Sequence, residues 1–211
     1  MARVSFVDDV ALEVGRQLER IRAAQPDDLR GLEMYSGRGA IFSHKLNPYV
    51  ATFVGVDHDG TCQAEFLRST PKALFLKGDC HQLAASGVFG HQQFSLVSID
   101  NPLGVHGSYC EHFEALRFLP SLLAARACVV FNVVPRPYNS TDPRLAPWLG
   151  RREKFYGVND ATAIAIDFLE RFYLATFNSL GFSIGDHSMV CRELDDGIPY
   201  FYGFVFSVEH G

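Results

Sequence analysis

Short, almost unbroken apolar runs alternate along this chain with stretches of helical periodicity. Val7, Val10, Ala11, Val14, Leu18 and Ile21 recur at spacings of three and four, and Ser5 with Asp8 forms a capping-box pattern, so a helix precedes everything else. Five apolar runs follow, at 31–36, 50–56, 73–76, 94–99 and 127–134, each of strand length. A short helix is expected after the first run and a longer one over 61–68 after the second. Strands apolar on both faces suit a parallel sheet covered by helices on either side, so the alternation predicts an α/β fold, a three-layer α/β/α sandwich. The last third departs from this rhythm. Ala161, Ile164, Ala165, Phe168, Phe172 and Ala175 share one face of a helix expected over 160–180, opened near Asn159 and stopped by Gly181. Two further runs, 182–192 and 198–208, flank Asp196 and Gly197, a pair suited to the positive φ of a hairpin turn; the last two strands are therefore expected to be antiparallel. The rings of Tyr200, Phe201, Tyr202, Phe204 and Phe206 read as sheet core, and the strands total seven.

Length and composition fit one domain over 1–211. A net charge of −5 disfavours a broad polyanion-binding surface, although a local basic patch leaves nucleic acid open. Cys62, Cys80, Cys110, Cys128 and Cys191 are odd in number and form no C-x-x-C pair, which suits free thiols in a reducing compartment. The N-terminus carries Asp8 and Asp9 instead of a basic region followed by an apolar core, and no apolar run approaches about 18 residues. A soluble, cytoplasmic protein is expected.

The chemistry gathers where strands end. Gly37 and Gly39 follow the first strand, where the chain must turn sharply and a ligand can approach backbone amides, and Asp57 closes the second strand. Strand, glycine turn, helix, strand and acid together describe an anion or nucleotide cradle beside a carboxylate able to accept from two ribose hydroxyls. An ordinary tight turn would use the same glycines. A nicotinamide-dependent oxidoreductase would share the cradle, but Phe42 stands where its third fingerprint glycine belongs.

Glu33, Tyr35, Ser36, Gly37 and Gly39, then Val56 and Asp57, Gly78 and Asp79, and Asp100, Asn101 and Pro102 occur in one order and spacing. In this the chain resembles the class I, Rossmann-like S-adenosylmethionine-dependent methyltransferases, from its first helix to Val208. An acid two residues before an aromatic, and Asn-Pro after the fourth strand, resemble the nucleic-acid amino-methyltransferases most. The resemblance implies a mostly parallel seven-stranded sheet of order 3-2-1-4-5-7-6, with S-adenosylmethionine over the carboxyl ends of strands one to four. It implies that Glu33 and the turn holding Ser36, Gly37 and Gly39 hold the methionine portion, that Asp57 with its neighbour His58 meets the ribose, and that Asp79 and the backbone of Cys80 meet the adenine. Asp79 reads equally as a helix N-cap, and the two roles can coexist.

Asp100, Asn101 and Pro102 are the catalytic candidates that the resemblance implies. In the family motif an Asp or Asn is followed by two prolines and an aromatic, and it orients a target amine against a stacked base. Leu103 and Gly104 depart from that motif, leaving His106 or Tyr109 as the nearest flat side chains. The implied reaction is methyl transfer to an amino nitrogen, a nucleobase foremost, with small molecules or proteins as other acceptors. A domain that binds nucleosides without catalysis fits the incomplete motif as well. His106, Cys110 and His112 match no closed zinc spacing, so no metal is expected.

Between the fifth strand and the last helix, 135–158 reads as a long loop on the acceptor side. It holds Pro135, Pro137, Pro143 and Pro147, five basic residues (Arg136, Arg144, Arg151, Arg152 and Lys154), and the rings of Tyr138, Trp148, Phe155 and Tyr156. Positive charge interleaved with rings suits RNA or DNA. A solvated loop pinned into the core by Trp148 is the competing reading.

Overall fold

In a computed structural model of the chain, the structure describes residues 6–25, 28–39, 42–90, 94–100, 113–136, 141–193 and 199–211. Seven strands, β1 (Arg30–Met34), β2 (Thr52–Asp57), β3 (Ala73–Lys77), β4 (Phe94–Ile99), β5 (Leu123–Val133), β6 (Phe182–Glu193) and β7 (Pro199–His210), form one sheet of order β3-β2-β1-β4-β5-β7-β6. The pairs among β1 to β5 are parallel; β7 runs antiparallel to both β5 and β6. The sequence-based expectation for the fold thus holds in strand number, order and direction.

Helices cover both faces. On one lie α1 (Phe6–Ala24), α2 (Ser43–Leu46) and α3 (Gln63–Ser69), where Val10, Val14, Leu18, Leu46 and Phe66 pack with Phe53, Leu96, Cys128, Val130 and Val205. The opposite face carries α4 (Cys80–Ala85), α5 (Phe113–Leu116), α6 (Leu119–Leu122), α7 (Ala146–Tyr156) and α8 (Ile166–Ser179). There Leu119, Trp148, Leu169, Tyr173 and Phe177 pack on Val97, Val129, Phe131, Phe204 and Phe206. Neighbouring residues of β5 divide between the two clusters, Cys128 and Val130 to one and Val129 and Phe131 to the other, as strand pleating requires.

Strand ends shift by one or two residues elsewhere, as at β1 and β7, and three larger differences from the sequence reading have local reasons. The last helix begins at Ile166 instead of near 160, because Asp160 accepts from the backbone and hydroxyl of Thr162 in an Asx turn, and the amide of Ile164 bonds to the Pro135 carbonyl. Ala161 and Ile164 are buried from an irregular stretch, which mimics a helical face. The fifth strand starts four residues before Ala127, at Leu123. Finally, much of the expected 135–158 loop is helix. Pro147 sits in the first turn of α7, where its missing amide costs nothing, and Gly157 closes the helix at φ 67°. Ser5 of the expected capping box lies outside the described residues, as does the turn at 194–198. Among the described residues no helix is long and apolar enough to cross a membrane.

Candidate functional site at the carboxyl edge of the sheet

Parallel pairing brings the strand ends to one level. Met34 stands beside Val56 and Ile99, so Tyr35, Asp57 at the last position of β2, and Asp100 emerge along one edge. Carbonyl ends of parallel strands are where open α/β sheets bind ligands, because the connecting loops diverge there.

The turn after β1 is shaped by backbone angles that side chains resist. Tyr35 has φ 65°, Gly37 φ 51° and Gly39 φ 68°. For a tyrosine that conformation costs about 1 kcal/mol or more. The two glycines serve different ends. A Cβ on Gly39 would meet the Phe66 ring at 2.7 Å, so Gly39 lets the turn pack down on α3. A Cβ on Gly37 would meet nothing within 4 Å, so the space over it is open.

Asp57 is tied to that turn. One of its oxygens accepts from the amide of Gly37 at 2.8 Å and the other from the amide of Asp59 at 2.9 Å, while the His58 ring lies 3.4 Å from the carboxylate. His58 itself is largely exposed, whereas the Asp57 side chain keeps 11% of its surface. Each carboxylate oxygen retains further acceptor capacity. Asp79 N-caps α4, accepting from the amides of His81 and Gln82 at 2.9 and 3.0 Å, which leaves the adenine role compatible with the cap. Cys80 is buried behind it, and burial pushes its thiol up to about 12.

Glu33 is 2% exposed and faces the α2 side, where the Ser43 hydroxyl donates to it. Burial first, then the nearby carboxylates of Asp100 and Asp57, hold its carboxyl well above the ordinary range. Asp100 lies on the same side. Burial pushes it up to about 7, and Asn132 at the end of β5 donates to it at 2.8 Å. Asn101 and Pro102 lie outside the described residues, as do His106, Cys110 and His112; among the described residues no group of three or more metal-ligating side chains converges.

Three partners were absent from the sequence reading. Ser43 reaches Glu33 from a different element. Asn132 interrupts an otherwise apolar strand end, and that interruption was the available signal. His81 bonds the Tyr35 hydroxyl and stacks edge-on against Phe118; burial lowers it to about 4, so it is neutral near pH 7.

The basic and aromatic residues of 136–156 do not stay together. Trp148, Arg152 and Tyr156 are buried, with the Arg152 guanidinium between the two rings and bonded to the Val134 carbonyl at 2.8 Å. Arg144 pairs with Asp142, and Arg151 lies 3.9 Å from Glu114. Tyr138 is outside the described residues. Burial removes Trp148 and Tyr156 from the set of exposed stacking rings expected of this segment.

The turn and its surroundings fit the polar parts of a nucleoside-amino acid ligand. Besides the open space over Gly37 and the Asp57 carboxylate, the Ser36 hydroxyl is buried with no partner among the described residues. No protein-family model and no curated protein sequence matches the chain. Solved structures do. The chain is similar to the N-methyltransferase NodS from Bradyrhizobium japonicum WM9, with 16% identity, 96% of this chain and 98% of that one covered, and a TM-score of 0.56. It is similar also to the plantazolicin methyltransferase BamL, solved with a triazolic analogue and SAH (10% identity, 98% and 86% covered, TM-score 0.61), and to a SAM-dependent methyltransferase from Methanosarcina mazei (14%, 90% and 96%, 0.55). At these identities the likeness is one of architecture, and the architecture is that of the class I S-adenosylmethionine-dependent methyltransferases.

Proposed function

We propose that the protein is an S-adenosylmethionine-dependent methyltransferase acting on an amino nitrogen, with a nucleobase as the first acceptor to test. The observation that carries this reading is the open Gly37 bend bonded to Asp57 at the carboxyl edge of a methyltransferase-type sheet. Glu33 and Ser36 then hold the amino acid end, Asp57 and His58 the ribose, and Asp79 with Cys80 the adenine. Bound there, S-adenosylmethionine supplies a methyl group on a cationic sulfur.

Everything else falls to the chain's own groups. Carboxylates along the edge favour a cation entering a partly desolvated space. An amino nitrogen sheds a proton on methylation, and a carboxyl at about 7 matches a group that must take one near neutral pH. Asp100 is that group in this proposal, with Asn101 and Pro102 orienting the amine. The nucleobase rests on the Asn101-Pro102 motif, and phosphate contact through 136–156 now rests on its exposed cations, such as Arg136 and Lys154, without the buried rings.

Calorimetric titration with S-adenosylmethionine, S-adenosylhomocysteine and NAD tests the ligand. Binding of the adenosyl compounds alone is expected, and binding of NAD alone overturns the reading. Labelled methyl transfer to RNA, DNA and small-molecule pools then identifies the acceptor, and Asn101→Ala is expected to abolish it.

A further inference from the structure

We infer that Asn132 is a positioning residue: it holds the Asp100 side chain in place and favours its ionised form, ready to take a proton. The inference rests on the methyltransferase reading for what that proton is, and on geometry for the pairing itself.

Strand register accounts for the meeting. Ile99 of β4 pairs with Phe131 of β5, so the next residues, Asp100 and Asn132, are neighbours across the same ladder. Both alternate onto the α1 and α2 face, the face of Cys128 and Val130. Asn132 is 3% exposed in a strand end that is otherwise apolar. A buried amide is costly unless its polar atoms are matched. Its NH2 donates to Asp100 at 2.8 Å; its carbonyl oxygen has no partner among the described residues.

That donor suits a carboxyl that must be ionised to take a proton. The NH2 donates to the carboxylate, which favours that form over the carboxylic acid. Beside the pair, Phe42, Ser98 and Gly203 line a small crevice. Among the described residues, the titratable group coupled to Asp100 is Glu33 on β1, on which Asp57 acts as well. From β4 and β7 come Ser98 and Gly203, neither of which titrates in this range. Glu33 works against ionisation of Asp100 when it is itself charged, and Asn132 is the neutral donor that works for it.

The test uses the full chain and needs no acceptor. NMR of aspartate labelled at the carboxyl carbon, assigned with Asp100→Asn, reads the Asp100 midpoint directly. Asn132→Leu, close in shape and without a donor, is expected to raise that midpoint by about one to two pH units. Asn132→Ser, which keeps a donor, raises it less. An unmoved midpoint in a folded Asn132→Leu protein overturns the inference. With an acceptor identified, the acidic limb of the pH-rate profile is expected to move up with the midpoint; a shifted midpoint under an unshifted limb also overturns it. A wild-type protein that transfers no methyl group sinks the proposed function, while the carboxyl titration still decides the pairing.

Discussion

The two halves of the sheet use their side chains in opposite ways. Along β1 to β4 the carboxyl edge carries Glu33, Asp57, Asp79 and Asp100, two of them held above their ordinary pKa by burial, with a Ser36 hydroxyl that has no partner among the described residues and open space over Gly37. Across β5, β7 and the helices over them, Phe131 stacks with Phe177, Phe204 and Phe206 and meets Tyr173 edge-on, and Tyr156 bonds Tyr173. One half accepts electrostatic cost to keep a polar edge available. The other is packed tightly enough to offset that cost, since each buried aromatic contributes several kcal/mol to stability. Substitutions are therefore expected to sort by half, with stability lost from one and ligand affinity from the other.

The hardest blow falls on Arg152. Arg152→Glu puts an anion between Trp148 and Tyr156 at a fully buried site and is expected to cost at least ~3–5 kcal/mol, read as loss of cooperative denaturant unfolding. Phe131→Ala removes the ring on which the aromatic cluster centres; a loss of ~3–5 kcal/mol is expected, with adenosyl-ligand affinity per folded molecule unchanged. A loss of affinity at constant stability would break the division between the halves.

Acid-side effects come next. Asp100 has a folded pKa of about 7 against an ordinary 3.8, so between those values the folded state keeps a proton that the unfolded chain releases. Stability then falls as pH rises through that window, by a few kcal/mol. Asp100→Asn removes this slope and leaves the part with the same sign that Glu33 contributes, measurable as denaturant midpoints from pH 4 to 7. Asp57→Ala is expected to weaken S-adenosylhomocysteine binding roughly 10- to 100-fold by calorimetry, the value of hydrogen bonds to a charged group. Its melting temperature should drop far less than that of Phe131→Ala. Smallest of all, Arg151→Glu is expected to stay within ~0.5 kcal/mol of wild type, since the residue is exposed. A large loss there would extend the stability half outward to the helix surface.

What could be read from the sequence follows the same division. β4 spans 94–99 as expected, because its six residues are all buried and nothing in their neighbourhood competes with a strand. Asp57, Asp79 and Asp100 were visible because strand ends announce themselves locally, as an apolar run followed by an acid or a glycine, whereas Glu33, inside β1, was singled out by the family resemblance. Ser43 and Asn132 were not, since register and a separate helix bring them in, and neither is encoded near the residue it serves. Helix α7 was missed for a different reason: Pro143 and Pro147 signal turns, yet proline is equally at home in a first helical turn. With that helix come the buried rings and guanidinium that composition alone had suggested as a nucleic-acid contact.

The bond from the Gly37 amide to Asp57 joins residues twenty apart in sequence. For the ligand proposed here, that bond supplies part of the bend's order from within the fold, so less of the ordering entropy falls on association. Loosening this bond, as in Asp57→Ala, is then expected to return that ordering cost to the binding step.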